Sequence, residues 1–129
     1  PPTLFMALNG TDLTYVNPFM ADLGTMLTKA RRYDRASQIF FHLTQLCKDC
    51  HDAKMQFGYV LAADEQFDKA IPVLGDYLRA VPDNHQMRFV YAFACSKEGK
   101  IDVAKAELQR VLNAVPDHQQ AKALLSSLP

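Results

Sequence analysis

Ala80-Val81-Pro82-Asp83 is followed, 34 residues on, by Ala114-Val115-Pro116-Asp117. The same interval runs outward from this stretch. Phe67, Ala70, Leu74 and Leu78 return as Ile101, Ala104, Leu108 and Leu112, and Tyr33, Ala36 and Phe40 stand one step earlier. Gly24 and Leu27 likewise lead Gly58 and Leu61. A fixed period of this length marks a stacked helical array, in which each unit buries its apolar face against its neighbours.

Each repeat reads as two antiparallel helices. The turns fall at Arg31-Arg32-Tyr33-Asp34, Glu65-Gln66-Phe67-Asp68 and Gly99-Lys100-Ile101-Asp102. Asp34, Asp68 and Asp102 are expected N-caps, because a short carboxylate accepts from free backbone N–H groups and suits the positive helix end. Tyr33, Phe67 and Ile101 are the expected apolar staples. Second helices are predicted over about 35–47, 69–81 and 103–115, the last two stopping at proline, which cannot continue the hydrogen-bond ladder. First helices are predicted over about 18–30, 52–64 and 86–98. Ala36, Ala70, Ala104, Gly24, Gly58 and Ala92 are small where helices must approach within their usual separation of about 8–10 Å. Beyond Pro116, Ala121, Leu124, Leu125 and Leu128 share one face of a terminal helix that would cap the stack.

This pattern resembles the tetratricopeptide repeat, a helix–turn–helix marked by small residues in each helix, an aromatic before the second and a closing proline. The resemblance covers about residues 17–128. It implies an all-α, right-handed α-solenoid of three repeats (17–50, 51–84 and 85–118) plus a capping helix over 117–129, behind an N-terminal segment at 1–16. Lys48 stands where the first closing proline is expected, and Met20, Lys54 and Arg88 replace the usual large aromatic of the first helices.

In such arrays the first helices line a concave groove that holds peptides. Helical spacing places Ala21, Asp22, Thr25, Thr28 and Lys29 there from the first repeat. Met55, Gln56, Tyr59, Ala62 and Ala63 follow from the second, and Gln86, Phe89, Val90, Phe93 and Lys97 from the third. Met55, Tyr59, Phe89 and Phe93 are expected to form one aromatic–thioether patch, a chemistry favoured at binding surfaces. Phe57, Leu61, Tyr91 and Cys95 fall on the opposite face and supply interhelical packing. The Lys and Asn set that grips a chaperone's C-terminal carboxylate in related arrays is not matched here, so an apolar peptide segment is the expected ligand. The stretch Thr3-Leu4-Phe5-Met6-Ala7-Leu8-Asn9 is loosely similar to the opening of the repeat chaperones of type III secretion. It would form an extra helix, a homodimer contact or a tail in the groove.

Composition narrows the function class. Fourteen basic and fourteen acidic side chains cancel, so no global charge calls for nucleic acid or an acidic membrane. The basic run Lys29 to Arg35 falls at a helix end, where cations complement the dipole. No apolar stretch reaches the ~20 residues that span a bilayer, and no leader pattern is visible from Pro1-Pro2 onward, which reads as a mature fragment. No catalytic motif occurs, so the chain is expected to be non-enzymatic and without a cofactor.

One string competes. Cys47-Lys48-Asp49-Cys50-His51 has the C-x-x-C-H form that attaches c-type haem, with Met55 or Met87 as second axial ligand. It falls on the hinge between repeats, where Val81-Pro82-Asp83-Asn84-His85 stand in the next unit, and a packed stack leaves little room for haem. A redox pair, with a lowered Cys50 thiol pKa at a helix start, is the second alternative. A zinc site with His42 is the third. The plain reading makes Cys47 buried and Cys50 a surface thiol. Three cysteines favour a reducing, cytoplasmic location over the periplasmic one a working C-x-x-C-H motif implies.

The small positions make the first testable claim. Ala70→Leu should overpack its helix crossing and lower stability by ~1–3 kcal/mol, read as a shifted urea midpoint.

Overall fold

The computed structural model describes residues 17–129. The expectations for the segment 1–16 lie outside the described residues. Seven helices and no strand occur among the described residues: α1 (Asn17–Lys29), α2 (Tyr33–Leu46), α3 (His51–Ala63), α4 (Phe67–Ala80), α5 (His85–Lys97), α6 (Ile101–Ala114) and α7 (Gln119–Ser127). Each packs on its successor, and α3 also meets α5 across the stack. First helices therefore share one wall and second helices the other. The arrangement is an α-solenoid of three helix pairs closed by α7.

Phe40, Leu74 and Leu108 recur at the repeat interval, and all three are fully buried. Each points at a small residue of the preceding first helix. A Cβ added to Gly24 would lie 2.6 Å from the Phe40 ring, and one added to Gly58 would lie 2.6 Å from Leu74 Cδ2. In the third repeat Ala92, also fully buried, faces the smaller ring-free Leu108. Ala36, Ala70 and Ala104 are at zero exposure on the second helices. Removing each large residue from water contributes ~1.5–3 kcal/mol, and only small partners let the axes come that close.

The turns inside the repeats share one geometry. Arg31 (φ 60°), Glu65 (φ 60°) and Gly99 (φ 78°) are left-handed, again at the repeat interval. Arg32, Gln66 and Lys100 then donate their backbone N–H groups back to Leu27, Leu61 and Cys95 at 2.8, 2.9 and 2.9 Å. These six-residue closures satisfy carbonyls that the helix end leaves open.

That geometry corrects the expected caps. The carbonyls of Arg32, Gln66 and Lys100 already accept from Ala36, Ala70 and Ala104, so these residues are the N-caps, without side-chain hydrogen bonds. Asp34, Asp68 and Asp102 lie inside the first turn and are exposed, where they complement the dipole and do not cap. The helices begin two residues earlier than predicted because the chain leaves the left-handed turn after a single residue.

Side-chain caps occur instead at the hinges between repeats. Asn84 Oδ1 accepts from Met87 N–H at 3.1 Å, and His118 Nδ1 accepts from Ala121 N–H at 3.0 Å. At the first hinge the equivalent residue is Cys50, whose sulfur is bonded to Cys47.

Arg88, one of the departures from the repeat pattern, is only 8% exposed. Its guanidinium pairs with the Glu107 carboxylate and donates to the Pro82 carbonyl at 3.2 Å. It thereby ties α5 to α6 and to the preceding hinge with charge where the pattern expects an aromatic ring. At the other end of the stack, Phe19, Leu23 and Met26 on α1 are 77, 49 and 66% exposed.

Glu65→Gly should gain ~0.5 kcal/mol and Gly99→Ala should lose ~1 kcal/mol, because glycine alone takes the left-handed region without strain. Arg88→Ala should cost ~3 kcal/mol by stranding Glu107, whereas Arg88→Met combined with Glu107→Leu should cost far less. Chemical denaturation of the four variants checks both statements.

Candidate functional site

The wall of first helices brings Tyr59, Ala62 and Ala63 of α3 opposite Phe89, Val90 and Phe93 of α5, around a hollow of about 170 Å³. The helical spacing makes this arrangement. Residues three and four apart stand above one another, so Tyr59 and Ala63 share a ridge, as do Phe89 and Phe93. The two alanines keep the hollow open. Tyr59 is 40% exposed, and the three residues across from it are half-buried.

The rings are held from behind. Phe67, the apolar residue that opens α4, meets Phe93 edge-on at 5.7 Å between centroids. Phe89 lies 6.5 Å from Phe93 and 5.2 Å from the His118 ring. His118 Nε2 is 3.1 Å from Gln86 Oε1, so the residue that caps α7 also fixes one end of the aromatic row. Lys97 places its ammonium 5.3 Å from the Phe93 centroid, a cation over a ring face.

Thr25, Met55 and Gln56 line a different space. It is a cavity of about 370 Å³ between the first two repeats, which Ala21, Phe40, Leu43, Cys50, Asp52 and Ala53 complete. Met55 does not join the aromatic rings. Its sulfur accepts from Asn84 Nδ2 at 3.5 Å, and Asn84 also donates to the Tyr77 hydroxyl at 2.8 Å. The expected single patch is therefore two neighbouring depressions. Tyr59, Phe89, Val90 and Phe93 belong to one, Thr25, Met55 and Gln56 to the other. Lys97 stands over the Phe93 ring, and Lys29, exposed at the end of α1, lines neither.

On the other face of the same helices α3 and α5, Leu61 and Cys95 are buried and Phe57 and Tyr91 half-buried. Burial pushes the Cys95 thiol pKa up, against the lowering effect of its hydrogen bond with Tyr91. Burial raises the Tyr91 hydroxyl in turn.

Cys47 and Cys50 form a disulfide with a Cα–Cα distance of 5.4 Å, and both are half-buried. This corrects the reading of Cys47 as a buried valine equivalent beside a surface thiol. It also divides the odd cysteine count into a bonded pair and one buried thiol. Haem attachment needs both sulfurs for thioether bonds, and here each is bonded to the other. His51 beside them is exposed. Among the described residues no group of three or more His, Cys, Asp or Glu side chains is arranged to hold a metal. None of the described helices is long and apolar enough to cross a membrane.

Known structures share this architecture. MamA from Desulfovibrio magneticus RS-1 (residues 41 to the end) superposes with a TM-score of 0.79 at 21% identity, covering 82% of this chain and 60% of that one. MamA from AMB-1 gives 0.76 at 21% identity, over 80% of this chain and 61% of the other. The Arabidopsis OM64 TPR domain gives 0.81 at 13% identity, over 87% and 93%. This chain thus spans about 60% of the MamA chains it matches. No curated protein matches the sequence significantly. A tetratricopeptide repeat family model matches residues 61–128, more than half of the 129 residues, and includes the hollow's α5 wall and the capping helix. With the period, the small-residue crossings and the stacked helix pairs, that match makes the chain a member of the tetratricopeptide repeat family.

Proposed function

We propose that this protein is a non-enzymatic binding module, a chaperone or assembly scaffold, that takes an apolar segment of a protein partner on the wall of first helices. The observation that carries the reading is the row of partly exposed rings, Tyr59, Phe89 and Phe93, around a hollow kept open by alanines. Rings fixed by Phe67 and His118 lose little freedom on binding, so more of the contact energy appears as affinity. An apolar anchor seated there would contribute ~1.5–3 kcal/mol from burial alone.

Lys97 adds a single cation at the rim, and no Lys–Asn set surrounds the hollow, which supports an internal apolar stretch over a C-terminal carboxylate as the ligand. The larger cavity at Thr25, Met55 and Gln56 gives the same ligand a second foothold toward the first repeat. The specific version we favour is a bacterial secretion chaperone, on the likeness of Thr3–Asn9 and on the apolar character of both depressions. In that version residues 1–16 serve as a contact between two copies.

A fluorescein-labelled peptide of about ten residues with Leu and Phe anchors is a sufficient probe. Tyr59→Ala together with Phe93→Ala should weaken its binding at least about tenfold, or ~1.4 kcal/mol, while helical circular dichroism and melting stay close to the parent. Undiminished binding would remove the hollow from the interface. Collapse of the fold would instead place the rings in the core.

A further inference from the structure

We propose that Cys47 and Cys50 are a reversible dithiol–disulfide couple, a thiol-exchange site that governs the hinge between the first two repeats. Three observations support it. The pair bridges the C-cap of α2 and the N-cap of α3, with two residues between the cysteines. Both residues are half-buried, so a small thiol can reach them, unlike Cys95 at zero exposure. At the corresponding hinges Asn84 Oδ1 and His118 Nδ1 accept from backbone N–H groups, whereas this one is held by a bond that reduction can open. A disulfide closing so short a loop constrains the unfolded chain little, which argues against a purely stabilising role.

The two sulfurs are not equivalent. Cys47 sits at the negative end of α2 and Cys50 at the positive end of α3, so Cys50 is the better leaving thiolate. A low-molecular-weight thiol of the glutathione class, as its thiolate, attacks Cys47 Sγ. The protein S–S bond breaks and Cys50 departs as a thiolate, leaving a mixed disulfide on Cys47. A second small thiolate attacks the small-molecule sulfur of that mixed disulfide and releases Cys47 as a thiolate. The protein has then gained two electrons, and its thiolates take two protons from water according to their pKa values. The two small thiols leave as their disulfide.

Opening the bond acts where it matters for the larger cavity. Cys50, Asp52 and Ala53 line that cavity from the first turn of α3. Once Cys50 is released, this turn loses its covalent tether to α2. Reduction therefore loosens one side of the cavity while the aromatic hollow of the later repeats keeps its support.

The test equilibrates the full chain in glutathione buffers from fully reduced to fully oxidised. Acid quenching, alkylation and peptide mass analysis then give the state of Cys47 and Cys50. A single reversible two-electron transition is expected, with Cys95 unlabelled in the folded protein. A pair that stays as two thiols in oxidised glutathione would overturn the proposal. So would a bond that opens in millimolar reduced glutathione only after denaturant is added. Hydrogen exchange supplies the second readout. Amides of 51–54 should exchange roughly threefold or more faster in the reduced protein and in Cys47→Ala with Cys50→Ala, with α4 to α6 unchanged. Equal exchange in oxidised and reduced protein would refute control of the hinge.

Discussion

The fold rests on how closely a large side chain of each second helix can approach the backbone of the first. Phe40 and Leu74 press on glycines with no room for a further carbon, and Leu108 shares a buried cluster with Ala92 at the matching positions. Interiors pack densely and tolerate neither voids nor extra methylenes, so this contact sets the axis separation in each pair. Helix spacing in turn determines where the outer residues of α3 and α5 stand. Tyr59 can face Phe93 across a gap of useful size because Gly58 and Ala92 hold the helices at that distance from α4 and α6. The hollow on the wall of first helices is a by-product of the buried crossing.

Much of this was legible in the sequence because the repeat is one-dimensional. An interval read once at Pro82 and Pro116 assigns every later position to a helix and a face, and the core residues Phe40, Leu74, Ala70 and Ala104 fall where spacing puts them. Helix limits were displaced by one or two residues, most clearly at Tyr33, Phe67 and Ile101. Those limits depend on left-handed turns at Arg31 and Glu65, two residue types that give no advance sign of a positive φ.

The candidate site was legible in part, for a different reason. Spacing on one helix predicts which residues share its face, but says little about what each side chain meets across a hinge. Met55 stands on the predicted face of α3, yet its sulfur is drawn toward Asn84, 29 residues along the chain. The Arg88–Glu107 pair and the His118–Phe89 stack join residues at separations that no periodic pattern encodes. The Cys47–Cys50 bond was accessible from the C-x-x-C spacing alone, but the hinge reading there favoured the valine of the later repeat over the chemistry of the thiols.

The hinge caps have a consequence for how the stack is supported. In a solenoid, stability is close to a sum of unit and nearest-neighbour terms. Asn84, His118, Gly99 and the Arg88–Glu107 pair all reinforce the later units, while the first hinge relies on the Cys47–Cys50 bond. Support is thus of two kinds along the described stack, covalent at the first hinge and non-covalent from Asn84 onward. The rings of Phe89 and Phe93 therefore keep their position through ties that a change at the first hinge does not touch.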